Sequence, residues 1–252
     1  MMPGLAMIRQ VEAVGFRSWP ATSVHYDGTW AIRVTAAYPS RRLNSINPLD
    51  PADIRDIPMR VERAAQRLRA YARRPTFRQT PLMPPGLEDY LKAEGWEIVG
   101  ETIVLGADLR KLNLDRALDQ IPLRDIGRYA DASLKIHERD ASVRPGLSEL
   151  LNGIKPLKGM FVVEEENSPL AVALCVQDGA MAGLFDLGTA RTSRRRGHGR
   201  TIVASALKWA RKQGAKTAWL QVEADNLAGR ALYERFGFSE LYRYAYWESP
   251  EA

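Results

Sequence analysis

The chain has 252 residues, 45% of them hydrophobic and 26% charged, a composition that excludes disorder, collagen and coiled coil and fits one large or two modest domains. Its longest uncharged run, Asn167 to Gln177, is too short to span a bilayer, and its single cysteine, Cys175, leaves no disulfide framework and no Cys-rich zinc site. The formal charge of +6 is concentrated in Arg191–Arg200 (RTSRRRGHGR), which holds five arginines; the rest is nearly neutral, as expected for gripping a compact anion and not a long nucleic acid.

The first ten residues (MMPGLAMIRQ) lack the basic region, apolar core and cleavage site of a signal peptide, so a cytoplasmic protein is expected. The spacing predicts a short opening helix over Ile8–Ser18. Strand-like runs Ser23–Tyr26 and Trp30–Ala37 flank the turn signal Asp27-Gly28-Thr29, and a third extended run, Arg41–Ile46, leads to Asn47-Pro48. Asp50-Pro51 has the pattern of the start of a helical turn, an N-cap followed by proline. The main helix is expected over Pro58–Arg73, since proline is tolerated in a first turn and Val61, Ala64, Ala65 and Leu68 recur at helical spacing. Thr76–Thr80 is a short strand. Pro84-Pro85-Gly86 opens a helix through Leu87, Tyr90 and Leu91 that stops at Gly95, and Trp96–Leu105 alternates as a strand. The first module ends near Leu109, dividing the chain into 1–110 and 111–252.

In the second module a helix is expected over Leu123–Glu138 and a shorter one over Gly146–Leu151. Strands Gly159–Val163, Leu170–Val176 and Ala180–Leu187 follow, the last two joined by Asp178-Gly179, the strongest hairpin signal in the chain. After the arginine-glycine loop, Thr201–Arg211 carries Ile202, Val203, Ala206, Leu207 and Ala210 on one helical face and ends before Gly214. Thr217–Val222, Leu227–Arg235 and Phe238–Trp247 then read as strand, helix and strand. This order implies an α/β fold, a mixed sheet covered by helices. One constant offset lays helix Pro58–Arg73 over the helix after the loop, Thr76–Thr80 over Thr217–Val222, and Leu91–Trp96 over Tyr233–Phe238, which points to an internal duplication.

Chemistry concentrates in Arg194-Arg195-Arg196-Gly197-His198-Gly199, between a strand and a helix. Glycines let a ligand approach the backbone, unpaired N–H groups at a helix start attract phosphate, and arginines add directional donors. A Walker loop is absent, and a dinucleotide G-x-G-x-x-G fails because Ile202 stands at the third glycine position.

Arg194, Gly197 and Gly199 meet the pattern R/Q-x-x-G-x-G/A. Leu220-Gln221-Val222-Glu223, Asn226 and Ala231–Phe238 follow in order. In these motifs the sequence resembles the GNAT acyltransferase superfamily over Leu114–Trp247. The N-terminal module resembles a second copy in which Pro51–Ile57 replaces the glycine loop and Leu91 replaces Tyr233. The resemblance implies two tandem GNAT-like halves, the C-terminal one catalytic. It further implies acetyl transfer from acetyl-CoA to a primary amine on a small molecule or protein, by direct attack on the thioester, without metal, nucleic acid or membrane. A homodimer is among the assemblies left open.

Under that resemblance the backbone from Arg196 to Thr201 holds the pyrophosphate. Arg194, Arg195, Arg196, Gly197, His198, Gly199, Arg200 and Thr201 together form the cofactor loop, with Asn226 a further contact. The strand end at Leu187 and Thr189 pairs with the pantetheine arm, Gly188 forms a bulge, and an N–H near Leu187 polarises the thioester carbonyl. Tyr233 protonates the departing thiolate, and Glu223 or Asp186 accepts the amine proton. Plainer readings stand beside these. Tyr233 is otherwise a core ring, Glu223 a solvated strand end, His198 a solvent-facing side chain and Asn226 a helix cap. His25 and His137 lack ligand-spaced partners, Cys175 reads as an inert buried thiol, and Arg41-Arg42 with Asn44 and Asn47 as a solvated strand face. Two other functions are open: a non-catalytic acetyl-CoA-binding regulator, and a nucleic-acid binder using the arginine cluster. Retention of Tyr233 with the loop favours catalysis, and aromatic–basic interleaving is nearly confined to Tyr242-Arg243-Tyr244.

Overall fold

A computed structural model of the chain describes residues 4–250, so the expectation for the N-terminal segment falls partly on residues outside that range. Two compact units form: Met1–Val104 with Val222–Asn226 and Glu240–Ala252, and Leu105–Gln221 with Leu227–Ser239. Neither is a single stretch of sequence.

The first unit contains helix α1 (Leu5–Ser18), strands β1 (Ser23–Asp27), β2 (Trp30–Val34) and β3 (Ser45–Pro48), helix α2 (Ile57–Arg69), strand β4 (Thr76–Gln79), helix α3 (Pro85–Ala93) and most of strand β5 (Glu97–Asp108). The chain's last strand, β10 (Ser239–Glu248), completes it, in the order β1-β2-β3-β4-β10-β5. β3 and β4 run parallel, whereas β4 and β10 pair antiparallel. Trp30, Ile32, Ile46, Phe77 and Trp247 meet Val61, Ala64 and Leu68 of α2 and Leu87 and Leu91 of α3 in one apolar core. Phe77 meets Trp30 and Trp96 edge-on at 5.5 and 5.4 Å, the arrangement that ring quadrupoles favour. On α1 the buried Glu12 accepts hydrogen bonds from Arg78 and from the Tyr242 hydroxyl, so its charge is paired.

Some expected boundaries in this unit need correction. The run Arg41–Ile46 is a turn before it is a strand, because the Asn44 amide accepts from Thr35 N–H (2.9 Å) and donates to Tyr38 O (2.9 Å). That same bond takes the Thr35 N–H and ends β2 at Val34, short of Ala37. Asp50-Pro51 makes the single turn expected of it, the Asp50 carboxylate accepting from Ala52 N–H at 3.1 Å, and α2 begins only after Asp56, whose φ is +48°. Finally, α2 ends at Arg69 because Ala72 is left-handed (φ +52°) and Arg73 N–H folds back onto Leu68 O.

The second unit holds α4 (Ile126–His137), α5 (Arg144–Gly153), β6 (Leu157–Glu165), β7 (Ser168–Asp178), β8 (Met181–Thr189), α6 (His198–Lys212), nearly all of β9 (Thr217–Glu223) and α7 (Leu227–Arg235). Its strand order is β9-β8-β7-β6, with β8 and β9 parallel and the other pairs antiparallel. Asp125 caps α4 by accepting from Arg128 N–H. Gly179, at φ +60°, and Ala180 form the two-residue turn from β7 into β8, with Asp178 still paired to Met181. Both units together give a mixed α/β fold of ten strands and seven helices among the described residues.

The duplication is visible in the elements. Helices α3 and α7 have the same length, and the shift that carries Pro85 to Leu227 and Ala93 to Arg235 also carries Glu97, the start of β5, to Ser239, the start of β10. Gly95 and Gly237, at φ +75° and +83°, follow the two helices at equivalent positions. The position of Tyr233 is taken in the first copy by the fully buried Leu91.

Candidate active site

The arginine-glycine segment forms a short 3-10 turn over Arg191–Ser193 and then enters α6 through Gly197, whose φ of +91° disfavours any side chain. Thr201 N–H donates to Gly197 O at 3.0 Å and closes the first ring of the helix. The N–H groups of His198, Gly199 and Arg200 therefore have no helical acceptor, while Thr201 N–H is already used. Arg194 donates to Thr189 O at 3.4 Å, and Arg195, Arg196 and Arg200 are exposed and form no ion pair among the described residues. Arg191 instead pairs with Glu138 at 3.3 Å. A Cβ on Gly199 would lie 3.2 Å from Thr189 Oγ1 and 3.8 Å from Leu232 Cδ2. One glycine thus brings the loop, the end of β8 and helix α7 to the same place.

The end of β8 is bulged. Phe185 faces Leu174 and Gly188 faces Val172, so Asp186 and Leu187 together oppose only Ala173. The irregularity sits at Asp186, which is left-handed (φ +48°), and Gly188 is needed for another reason: its Cβ would stand 2.5 Å from Ile136 and 2.7 Å from His137. The glycine lets α4 lie directly on β8.

Asp186 is only 1% exposed in its side chain and accepts from Ser133 Oγ (2.5 Å), Tyr129 Oη (3.2 Å) and Arg139 Nη1 (2.9 Å), with His137 Nε2 at 3.2 Å. Burial alone would raise its pKa, but His137, Arg139 and Ser133 outweigh that and hold the carboxyl below its usual range. Tyr129, Ser133 and His137 recur every four residues along α4, a polar stripe that the sequence displays and that points to this carboxylate.

Tyr233 is the buried residue of α7, its ring 6.0 Å from Phe238. No group among the described residues hydrogen-bonds its hydroxyl, and burial raises its pKa, so the phenol stays protonated across the physiological range. Leu187 and Thr189 are half-buried on β8, as is His198 at the start of α6. Glu223 closes β9, and Asn226, whose N–H donates to Glu223 O at 3.0 Å, precedes α7. Both are exposed and belong to the short segment Val222–Asn226 of the first unit. Cys175 is fully buried, and burial pushes its thiol pKa up. Among the described residues no group of three or more His, Cys, Asp or Glu could hold a metal ion, and no helix is long and apolar enough to cross a membrane.

The family described as "Probable histone acetyltransferase Rv0428c C-terminal" matches residues 5–247. The Bacillus subtilis (strain 168) protein named uncharacterized N-acetyltransferase YobR is 24% identical over 245 residues, 95% of this chain and 97% of its own length. The ribosomal protein bS18-alanine N-acetyltransferase of Escherichia coli is 39% identical over 59 residues, which cover 23% of this chain and 40% of that enzyme. Among solved structures, a GCN5-related N-acetyltransferase from Kribbella flavida aligns with a TM-score of 0.69 at 19% identity over 100% of this chain and 98% of its own. A tandem GNAT protein from the clavulanic acid biosynthesis pathway aligns with a TM-score of 0.61 at 14% identity, over 96% and 88%. With its two-copy element order, its arginine-glycine loop and a match over nearly all described residues, the chain belongs to the Rv0428c C-terminal acetyltransferase family and is a GNAT-type N-acetyltransferase.

Proposed function

We propose that this protein transfers an acetyl group from acetyl-CoA to a primary amine, with the second unit supplying the donor site. The observation that carries the reading is the convergence at Gly199 of the unpaired N–H groups of α6, the bulged end of β8 and helix α7. The residues fit the donor. Gly197 has nothing within 4 Å of a Cβ position, and three arginines without ion pairs among the described residues surround the helix start. When bound, acetyl-CoA supplies a thioester already activated for attack by an amine.

The rest falls to side chains and backbone of this chain. The N–H groups of His198, Gly199 and Arg200 hold the pyrophosphate, and the arginines add charge-assisted hydrogen bonds. The bulge frees backbone groups around Leu187 to pair with the pantetheine arm and to polarise the carbonyl. Tyr233 holds its proton on Oη until the sulfur departs. Asp186 already faces four donor groups, which speaks against it as the acceptor of the amine proton.

The test is release of free CoA thiol against a panel of amines, including peptides with a free N-terminal alanine and with an internal lysine, run beside calorimetry with acetyl-CoA. Acceptor-dependent thiol release supports the reading. Saturable acetyl-CoA binding with no turnover on any amine would favour the regulatory alternative.

A further inference from the structure

We propose that Asp186 is a positioning residue, whose carboxylate, held by α4 and Arg139, maintains the β8 bulge in the shape that receives the acyl arm of the donor. The inference rests on the proposed acetyl-CoA function and assigns the specific means by which this chain builds the acyl end of that site. Four observations meet at the residue. Asp186 is an L-residue at φ +48° inside a strand, a conformation that tertiary contacts must hold in place. Its side chain is 1% exposed, so the carboxylate is withdrawn from solvent. Donors on three successive turns of α4 reach it: Tyr129 Oη at 3.2 Å, Ser133 Oγ at 2.5 Å and His137 Nε2 at 3.2 Å. Arg139, just past the end of α4, adds a fourth at 2.9 Å and also donates to Ser133 Oγ at 3.3 Å.

The neighbouring residue shows the same clamp from the other side. Because Gly188 has no side chain, Ile136 and His137 rest directly on the strand beyond the bulge. Asp186 and Gly188 thus flank Leu187, one by hydrogen bonding and one by close packing. The direction of the Leu187 backbone, the feature that the donor's acyl arm would read, follows from both. A general base needs an accessible lone pair, and this carboxylate has its oxygens turned into the protein. A buried carboxylate surrounded by donors fits a holding role.

The experiment compares two ligands that touch different ends of the site. Acetyl-CoA reaches both the loop at Gly197 and the bulge. Adenosine 3′,5′-bisphosphate lacks the pantetheine and acyl groups. Calorimetry is run with both on wild type, Asp186→Gly and Asp186→Asn, beside thermal melts. Glycine accepts the left-handed conformation of this position and so keeps the backbone permitted while removing the carboxylate; asparagine tolerates the conformation and retains one acceptor oxygen. The expectation is a roughly tenfold weaker Kd for acetyl-CoA in Asp186→Gly, about the effect of one or two lost hydrogen bonds, with partial recovery in Asp186→Asn. The bisphosphate should bind all three proteins equally. Equal weakening of both ligands in Asp186→Gly would make the residue merely structural and overturn the proposal, as would unchanged acetyl-CoA affinity. Should Asp186→Gly fail to fold, Asp186→Asn is decided by the same two-ligand ratio. Absence of acetyl-CoA binding to wild type would instead remove the function on which the proposal rests.

Discussion

Tyr233 and Gly197 separate the chemistry of this protein from its architecture. Tyr233 is buried but hydrogen-bonds no described group, so Tyr233→Phe should leave packing intact and change only what the hydroxyl does. Under the proposed acid role, kcat falls by ~10²–10⁴ with little change in acetyl-CoA affinity or melting temperature. A Phe variant with wild-type turnover would show that the ring is a core residue and nothing more. Tyr233→Ala removes the ring as well and should destabilise by about 3–5 kcal/mol. At Gly197 the φ of +91° makes any side chain strained, and a carboxylate there would face the pyrophosphate. Gly197→Asp is expected to abolish measurable acetyl-CoA binding in a protein whose circular dichroism is unchanged. Retained affinity would remove the loop from the donor site.

At the scale of elements, two contacts predict stability. Gly188→Ala drives a Cβ to 2.5 Å from Ile136, so α4 must shift from β8; a loss of about 1–3 kcal/mol is expected in chemical denaturation. In the first unit, Asp53 joins the β1–β2 turn to α2. It accepts from Arg60 Nη1 and Nη2 at 2.9 and 3.0 Å and from Thr29 N and Oγ1 at 3.0 and 2.7 Å. The hydrogen bonds from Arg60, with those from Thr29, hold its carboxyl far below the usual carboxylate range. A group depressed in the folded state contributes fully above its unfolded pKa of ~3.9 and loses that contribution as pH falls toward the folded value. Wild type should therefore lose stability progressively below about pH 4. Asp53→Asn leaves Arg60 without this charge and should cost about 3 kcal/mol at neutral pH, with a shallower acid limb. A parallel acid limb in both proteins would contradict this assignment.

For the whole molecule, the duplication and its asymmetry bear on how many donor molecules one chain is expected to bind. The first copy keeps the helix and strand counterparts α3 and β5 but holds Leu91 where the second holds Tyr233. The entry to its main helix runs through Asp56 and Ile57-Pro58, with no glycine. We therefore expect one acetyl-CoA bound per chain by calorimetry; a stoichiometry near two would restore a donor site to the first copy.

Much of this is written in the sequence because it depends on short-range chemistry. Helical spacing exposes α2, α6 and α7, Asp178-Gly179 sets the β7–β8 turn, and the glycines and arginines of the loop mark the start of α6. The echo between the halves is legible for the same reason, since equivalent elements repeat their lengths and the glycines that end them. What only the tertiary structure decided depends on partners distant in the chain. Asn44 ends β2 through the Thr35 N–H, and β10 pairs with β4 across most of the sequence, as backbone hydrogen bonding requires no local signal. Asp186 reads in the sequence as a candidate base because nothing adjacent to it announces the donors on α4. Once the chain folds, desolvation of that carboxylate is offset by those donors and by Arg139, none of which is near it in the sequence.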